Sequence, residues 1–469
     1  MPASPSTARA INDRLALRLL QQEGPLTAAQ LKQLTGLSRP TVADLVERLT
    51  GAGLIEVVGE AGEQRRGPNA KLYGIVAGRA HLAALDVRTE GVSVVVSDLV
   101  GAVLAEASVP IRGDTGTGPA VEQAVALVER VVKEAGADRL HTVGIGAPGL
   151  IDPATGELRD SSGLPAWHRR LVAALQERLP EARVNVENET NLAALAEQRD
   201  GVARDRDTFV LLWLGHGTGA AVVLDGALRR GASGGTGEIG FLPVPGTTGL
   251  PSAVDCEGGF HSLAGSAAIV ELAAAYGLTA EDVTVHEPPA AGVVRDAVAL
   301  VAAGGDGTAD GCAGAERGGA ADGDGRGQRA GSVDGDARTS RVGAPDASTA
   351  SRMSRMSRTA GTAGTTPSPG PLDAPASASR FLDALADRLA IGVASVVAVL
   401  DPGCVVLGGE VGRAGGEELA RRVEERTRRM SPLATVVRAG GLGGGAVLRG
   451  ALLTARDAAQ DELFTPPDR

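Results

Sequence analysis

The sequence predicts an α/β body of two related lobes behind a small amino-terminal winged helix-turn-helix. Three observations carry this. Strand-like β-branched runs alternate with helical apolar spacing from His81 onward. A strand series of the same kind begins again at "TFVLLWLGHGTGAAVVLDG". The first 75 residues instead show helical spacing, a glycine turn and two short strands. At 469 residues the chain exceeds one core's usual size, and 43% apolar content is ample for packing several. With 2% aromatics and 66 glycines, the expected interior is Ala, Val and Leu with many tight turns.

In the amino-terminal piece, Ile11, Leu15, Leu19 and Leu20 have helical spacing, and Gly24-Pro25 breaks that helix. Thr27 and Gln30 form a capping-box pattern at the start of a second helix, whose buried face is expected at Leu31 and Leu34. After Thr35-Gly36-Leu37, Ser38 can cap a third helix, Pro40 fits its first turn, and Val42, Leu45, Val46 and Leu49 supply a core stripe. Ser38, Arg39, Thr41 and Arg48 are then left facing outward. Two helices joined by a short glycine turn place the second helix's amino-terminal side chains against base edges in the major groove. The following strands surround a polar loop, a wing in which Arg65, Arg66 and Lys71 can meet phosphate or the minor groove. Asp44 and Glu47 on the third helix favour the alternative, a packing or dimerisation module.

Charge separates this piece from the remainder. Residues 1–75 carry nine Lys/Arg and seven Asp/Glu, whereas the whole chain has a net charge of -11. Nucleic acid is therefore expected at the amino-terminal module and not over the body. Cys256, Cys312 and Cys404 have no paired spacing, which excludes a disulfide framework. The chain has no run of 18 apolar residues, so a cytoplasmic protein is expected.

In the body, "HLAALDV", "VSVVVSDLVG" and "AVLAEASVPI" suit an antiparallel meander, followed by a helix over Ala120–Ala135. The strand "TVGIGAPG", a helix around Leu171–Leu179 and the strand "VNVE" come next, and Gly146, Pro148 and Gly149 fit a tight turn on the ligand side or a purely architectural one. At the junction of "VNVE" with its helix stands Glu189, where a carboxylate can be a general base, a hydroxyl acceptor or a helix-start residue.

Four segments, "VGIGAPGLID", "ENETNLAALAE", "GHGTGAAVVLDGALRRGASGGTGEIG" and "DPGCVVLGGEVG", make the chain resemble the ROK (repressor, open reading frame, kinase) family. The resemblance covers nearly everything but a middle insert. It implies an actin/hexokinase-like (ribonuclease H-like) α/β body, and either a sugar kinase or a sugar-responsive repressor. Family kinases carry Asp-x-Gly-Gly-Thr after the first strand; here Asp86-Val87-Arg88-Thr89-Glu90 replaces the open phosphate cradle. Their Asn-Asp-x-Asn base motif is here Asn188-Glu189-Thr190-Asn191, and an added methylene displaces the carboxylate from where a base is needed. The family's zinc site joins a His after "GEIG" to three cysteines; Phe241 and the single Cys256 leave no metal site to expect. The resemblance thus implies a lost kinase activity, no cofactor, and a sugar or sugar-phosphate effector held by Asn188, Glu189, Glu238 and His261.

Residues 304–379 are rich in Gly, Ala, Ser, Thr, Asp and Arg and almost free of large apolar residues, and a disordered insert is expected there. The domains read as 1–75, 79–303 and 380–460 around it. The expected function is a dimeric or tetrameric DNA-binding repressor of carbohydrate-metabolism genes with no membrane association. The alternatives are an ATP-dependent sugar kinase with an accessory DNA-binding module, and a regulator without a small-molecule ligand.

Overall fold

The computed structural model describes residues 5–61, 69–159, 164–252, 254–279, 287–306 and 374–464. The wing residues Arg65 and Arg66, and the insert apart from its two ends, lie outside these residues. Helix α1 (Pro5–Glu23) leads through the short strand β1 (Leu26–Thr27) into α2 (Ala28–Thr35) and α3 (Arg39–Gly51). The capping box at α2 is complete: Gln30 N donates to Thr27 Oγ1 at 3.2 Å, and Thr27 N donates to Gln30 Oε1 at 2.9 Å. Gly36 ends α2 at φ 70°, a left-handed conformation costly to side chains with a Cβ, and this makes the three-residue turn into α3 possible. Val42, Leu45, Val46 and Leu49 are buried as predicted. Leu34, Ile11 and Leu15 are not, because α2 and α1 turn Leu31 and the Ala16, Leu17 and Leu20 face inward instead. Strands β2 (Ile55–Ala61) and β3 (Ala70–Ile75) form the wing, with β1 joining β3 as a third strand.

The body is a duplicated five-stranded plan. In the first lobe, β4 (His81–Arg88), β5 (Gly91–Asp98) and β6 (Val103–Pro110) make the antiparallel meander. Helix α4 (Thr117–Glu134), strand β7 (Thr142–Ala147), helix α5 (Trp167–Arg178), strand β8 (Arg183–Asn188) and helix α6 (Glu189–Arg199) follow. Strands β7 and β8 add in parallel to β4, giving the order β6-β5-β4-β7-β8. The second lobe repeats that order with β9 (Phe209–Leu214), β10 (Thr218–Leu224) and β11 (Ala227–Arg229), then helices α7 (His261–Ala264), α8 (Ser266–Ala275), α9 (Pro289–Asp306) and α10 (Ala374–Leu400). It closes with β12 (Cys404–Gly408), α11 (Gly409–Met430), β13 (Val436–Ala439) and α12 (Ala446–Leu463), in sheet order β11-β10-β9-β12-β13.

Helix α10 starts at Ala374, six residues before structure is expected to resume at residue 380. Its first turns lack large apolar side chains, but Ala378 is buried and Ser379 O accepts from Arg422 Nη1 at 3.0 Å, so packing and a buried guanidinium hold what composition alone marks as loop. The lobes meet through α6 and α12. A Cβ on Gly450 would lie 2.0 Å from Leu192 O, so the two helices cross as closely as glycine permits. Gly146 is architectural for the same reason: its Cβ would sit 2.5 Å from Val447 Cγ1 of α12. One continuous hydrophobic cluster contains Leu17, Leu20, Leu31 and Leu45 of the winged module together with Leu99, Leu192, Val447 and Phe464 of the body.

Candidate functional site

Both strands that end at the cleft, β4 and β12, carry a charged residue there: Arg88 closes β4, and Glu410 follows β12 in the first turn of α11. Arg88 Nη1 donates to Glu410 Oε1 at 2.6 Å, Nε to Asp86 Oδ2 at 2.9 Å and Nη2 to Gly444 O at 2.8 Å. Two mostly buried carboxylates hold the guanidinium charge more firmly than water does, and its pKa is driven further above its usual value despite burial. Arg88 therefore spans the lobes where the family's kinases keep the glycines of their phosphate loop. The segment "DVRTE" revealed the substitution; the partners Glu410 and Gly444 come from motifs more than 300 residues away, which no local pattern pairs.

Glu189 opens α6 and has no hydrogen-bond partner among the described residues. A helix start favours a carboxylate by up to about 1 kcal/mol. Burial, together with the charges of Asp86, Glu410 and Glu238, outweighs that preference and the nearby Arg88, raising the Glu189 pKa to about 8. At neutral pH its carboxyl is mostly protonated and can donate as well as accept a hydrogen bond.

Asn188 is largely committed to the fold. Its Oδ1 accepts from Thr190 N and Asn191 N at 2.9 and 3.3 Å, capping α6, while Nδ2 donates to Gly149 O at 3.0 Å and pins the turn after β7. Glu187, not singled out from the sequence, accepts from Asn191 Nδ2 at 2.9 Å and pairs with Arg230 Nε at 2.6 Å. Glu238 is exposed at the end of the "GGTGE" turn, where partial desolvation raises its carboxyl above the ordinary range. It lies close enough to Glu189 to bear on its charge. His261 begins α7; burial lowers its pKa against the pull of Asp255, and its ring packs where Gly265 leaves room. His168, another residue missed from the sequence, is buried edge-on against Trp167, and burial lowers it to about 4. Among the described residues no cluster of His, Cys, Asp and Glu is arranged to hold a metal ion.

In the winged module, Ser38 caps α3 by accepting from Thr41 N at 3.3 Å, and the two hydroxyls share a 2.7 Å hydrogen bond. Arg39 is exposed at the start of α3 and Lys71 is exposed on β3. Arg48 departs from the expectation of an outward contact. Its Nη2 donates to Asp13 Oδ1 at 2.6 Å and its Nη1 pairs with Asp44, so it straps α3 to α1. Helical phase placed it on the open side of α3, but α1 returns across that side carrying Asp13.

Comparison with known proteins fixes the lineage of this arrangement. The ROK family profile matches residues 82–284 and 373–458. This chain belongs to the ROK family. The MarR family profile matches residues 11–67, the winged module. Among ROK relatives, the chain is 27% identical to the N-acetylglucosamine repressor of Escherichia coli O157:H7 over 242 residues, which span 50% of this chain and 57% of that protein. The matched region thus covers little more than half of that relative's length. A ROK family transcriptional regulator described as a homologue of the E. coli MLC protein has the same fold, with a TM-score of 0.64 at 20% identity over 97% of this chain and 98% of that one. A ROK hexokinase from Thermus thermophilus shares 25% identity with a TM-score of 0.52, covering 81% of this chain and 99% of that one. No helix among the described residues is long and apolar enough to cross a membrane.

Proposed function

We propose that this ROK protein is a DNA-binding transcriptional regulator, a repressor of carbohydrate-metabolism genes that senses a sugar or sugar phosphate in the cleft and does not phosphorylate it. The observation that carries this reading is Arg88, tied to Asp86, Glu410 and Gly444 O in the place of an open phosphate loop. A guanidinium with three protein partners leaves no free backbone cradle for transferable phosphates, whereas sugar recognition needs only hydrogen-bonding groups. The family profile of the winged module and the name of the E. coli relative support the DNA-binding half.

DNA contact is assigned to Ser38, Arg39 and Thr41 on the recognition helix and to Arg65, Arg66 and Lys71 on the wing, with Arg48 reassigned to holding the module together. Effector contact is assigned to Glu189, Glu238 and His261, and to the remaining amide hydrogen of Asn188. A homodimer or tetramer would present two recognition helices to paired half-sites. Helix α6 begins at Glu189 and crosses α12, and α12 carries Gln460, which donates to Gln21 of α1 at 2.8 Å. A shift of α6 on sugar binding would reach the recognition helices by this contact chain.

The test joins two measurements on the full chain. Genomic DNA fragments selected by the protein are titrated in gel shifts with glucose, xylose, N-acetylglucosamine and their phosphates, beside an ATP-dependent phosphorylation assay. One of these sugars changing operator affinity, with that response weakened in Glu238→Ala by about 1 to 3 kcal/mol, supports the proposal. Absence of selected DNA, or sugar phosphorylation by the wild type, defeats it.

A further inference from the structure

A second cavity, remote from the cleft, lies where α1 of the winged module meets the ends of α6 and α12. It encloses about 540 Å³, within the range of sites that bind small molecules. Four arginines line it, Arg14 and Arg18 from α1, Arg199 from α6 and Arg456 from α12, against two carboxylates, Asp457 and Asp461. Net positive lining is unexpected in a chain of net charge -11.

The carboxylates do not use up the guanidinium capacity. Arg14 pairs with Asp461 at 3.0 Å, while Asp457 serves both Arg199 and Arg456, each at 3.2 Å. Arg18 has no ion pair or hydrogen bond among the described residues and is exposed. Arg456 has its Nε buried with no hydrogen-bond partner, and leaving a charged donor unsatisfied in that way is costly. Planar guanidinium forks converging from both sides of a cavity suit a tetrahedral dianion, which would accept from several at once and relieve their mutual repulsion.

We propose that this cavity binds a phosphate dianion, free or carried by a small metabolite, and that the bound anion fastens the winged module to the body. The two sides already share polar contacts here beside their apolar packing: Gln460 Nε2 donates to Gln21 Oε1 at 2.8 Å and Gln21 Nε2 to Val100 O at 3.1 Å. An anion held by Arg18 on one side and by Arg199 and Arg456 on the other adds charge-assisted bonds across the same seam. By linkage it stabilises the docked module in proportion to the logarithm of its concentration. The site is separate from the effector cleft, and a regulator with either site destroyed retains the other.

Isothermal titration of the full chain with inorganic phosphate, glucose 6-phosphate and glucose tests this, using wild type, Glu238→Ala and the double variant Arg18→Ser with Arg199→Ser. Both arginines are exposed, so the double variant is expected to keep the wild-type melting temperature without phosphate. Inorganic phosphate should bind the wild type and Glu238→Ala equally, and the double variant at least about tenfold more weakly, and the part of glucose 6-phosphate binding that the arginine changes remove should likewise survive Glu238→Ala. Tighter binding of the ester identifies a phosphorylated metabolite; equal binding identifies phosphate itself. Should inorganic phosphate not bind, or should its affinity survive the arginine changes or fall only in Glu238→Ala, the cavity is not an anion site. The cleft reading stands or falls separately, on the glucose arm and on operator binding.

Discussion

Arg88 Nη1 and Glu410 Oε1 stand 2.6 Å apart across the cleft, so a first-lobe strand and a second-lobe helix are joined by one guanidinium that also holds Asp86. Its replacement strands two mostly buried carboxylates side by side. Arg88→Ala is expected to cost about 3 kcal/mol of stability, as breaking a buried pair from one side does. Denaturant unfolding measures this, and a loss under about 1 kcal/mol would mean that water already screens the pair.

Catalysis is expected to be beyond rescue by single changes. A kinase needs a placed base and a phosphate cradle together, so neither Glu189→Asp nor Arg88→Gly alone should produce ATP-dependent turnover of glucose. A coupled assay for ADP release decides the matter, and turnover in either variant would show that the missing part was already in place.

Glu189 should make stability depend on pH. Its carboxyl titrates at about 8 in the folded protein, against 4.5 unperturbed, so between those values the folded state binds the extra proton. The stabilisation is complete below 4.5 and is lost as pH rises through about 8, with a slope of at most about 1.4 kcal/mol per pH unit. Glu189→Gln, which cannot ionise, should flatten the fall in melting temperature across this window relative to wild type. Parallel curves for the two proteins would refute the elevated pKa.

Three basic residues of the winged module should separate by role. Arg39→Ala is expected to relax base preference, and Lys71→Ala to weaken all sequences alike while reducing the salt slope by about 1. Arg48→Ala, by contrast, should lower the module's stability by about 1 kcal/mol through loss of the Asp13 strap and leave operator affinity of the folded protein unchanged. Anisotropy titrations at several salt concentrations distinguish the three, and an Arg48→Ala defect confined to DNA binding would return that residue to the interface.

What the sequence made legible follows the range of each interaction. The capping box at Thr27, the cap at Ser38 and the turn at Gly36 are fixed by residues within four positions, and all three stand where local chemistry put them. The meander and the β7–β8 unit are likewise read from alternation and β-branched runs. Phase alone misplaced Leu34 and Arg48, since it identifies a helix's faces without saying which neighbour arrives; Asp13 of α1 reaches Arg48, and Leu34 stays exposed. In the cleft, the altered motifs at Arg88 and Glu189 were visible as substitutions. Their consequence was not, because Glu410 and Gly444, which hold Arg88, and two of the charges around Glu189, Glu410 and Glu238, come from the other lobe. The cavity between α1 and α12 left no sequence signal at all, being made of ordinary surface arginines that only the folded chain brings together.

The hydrophobic cluster that runs from the winged module into the body bears on how such proteins can be recombined. A reader head that is merely tethered can be exchanged for another with a different operator preference. Here Leu17 and Leu20 share their packing with Leu99 and Phe464, so a hybrid joining residues 1–75 to a foreign sensor would carry an unmatched oily seam. On the DNA contacts proposed above, changing operator specificity therefore calls for rewriting Arg39 and its neighbours on α3 while leaving α1, the Leu99 turn and the end of α12 as a matched set.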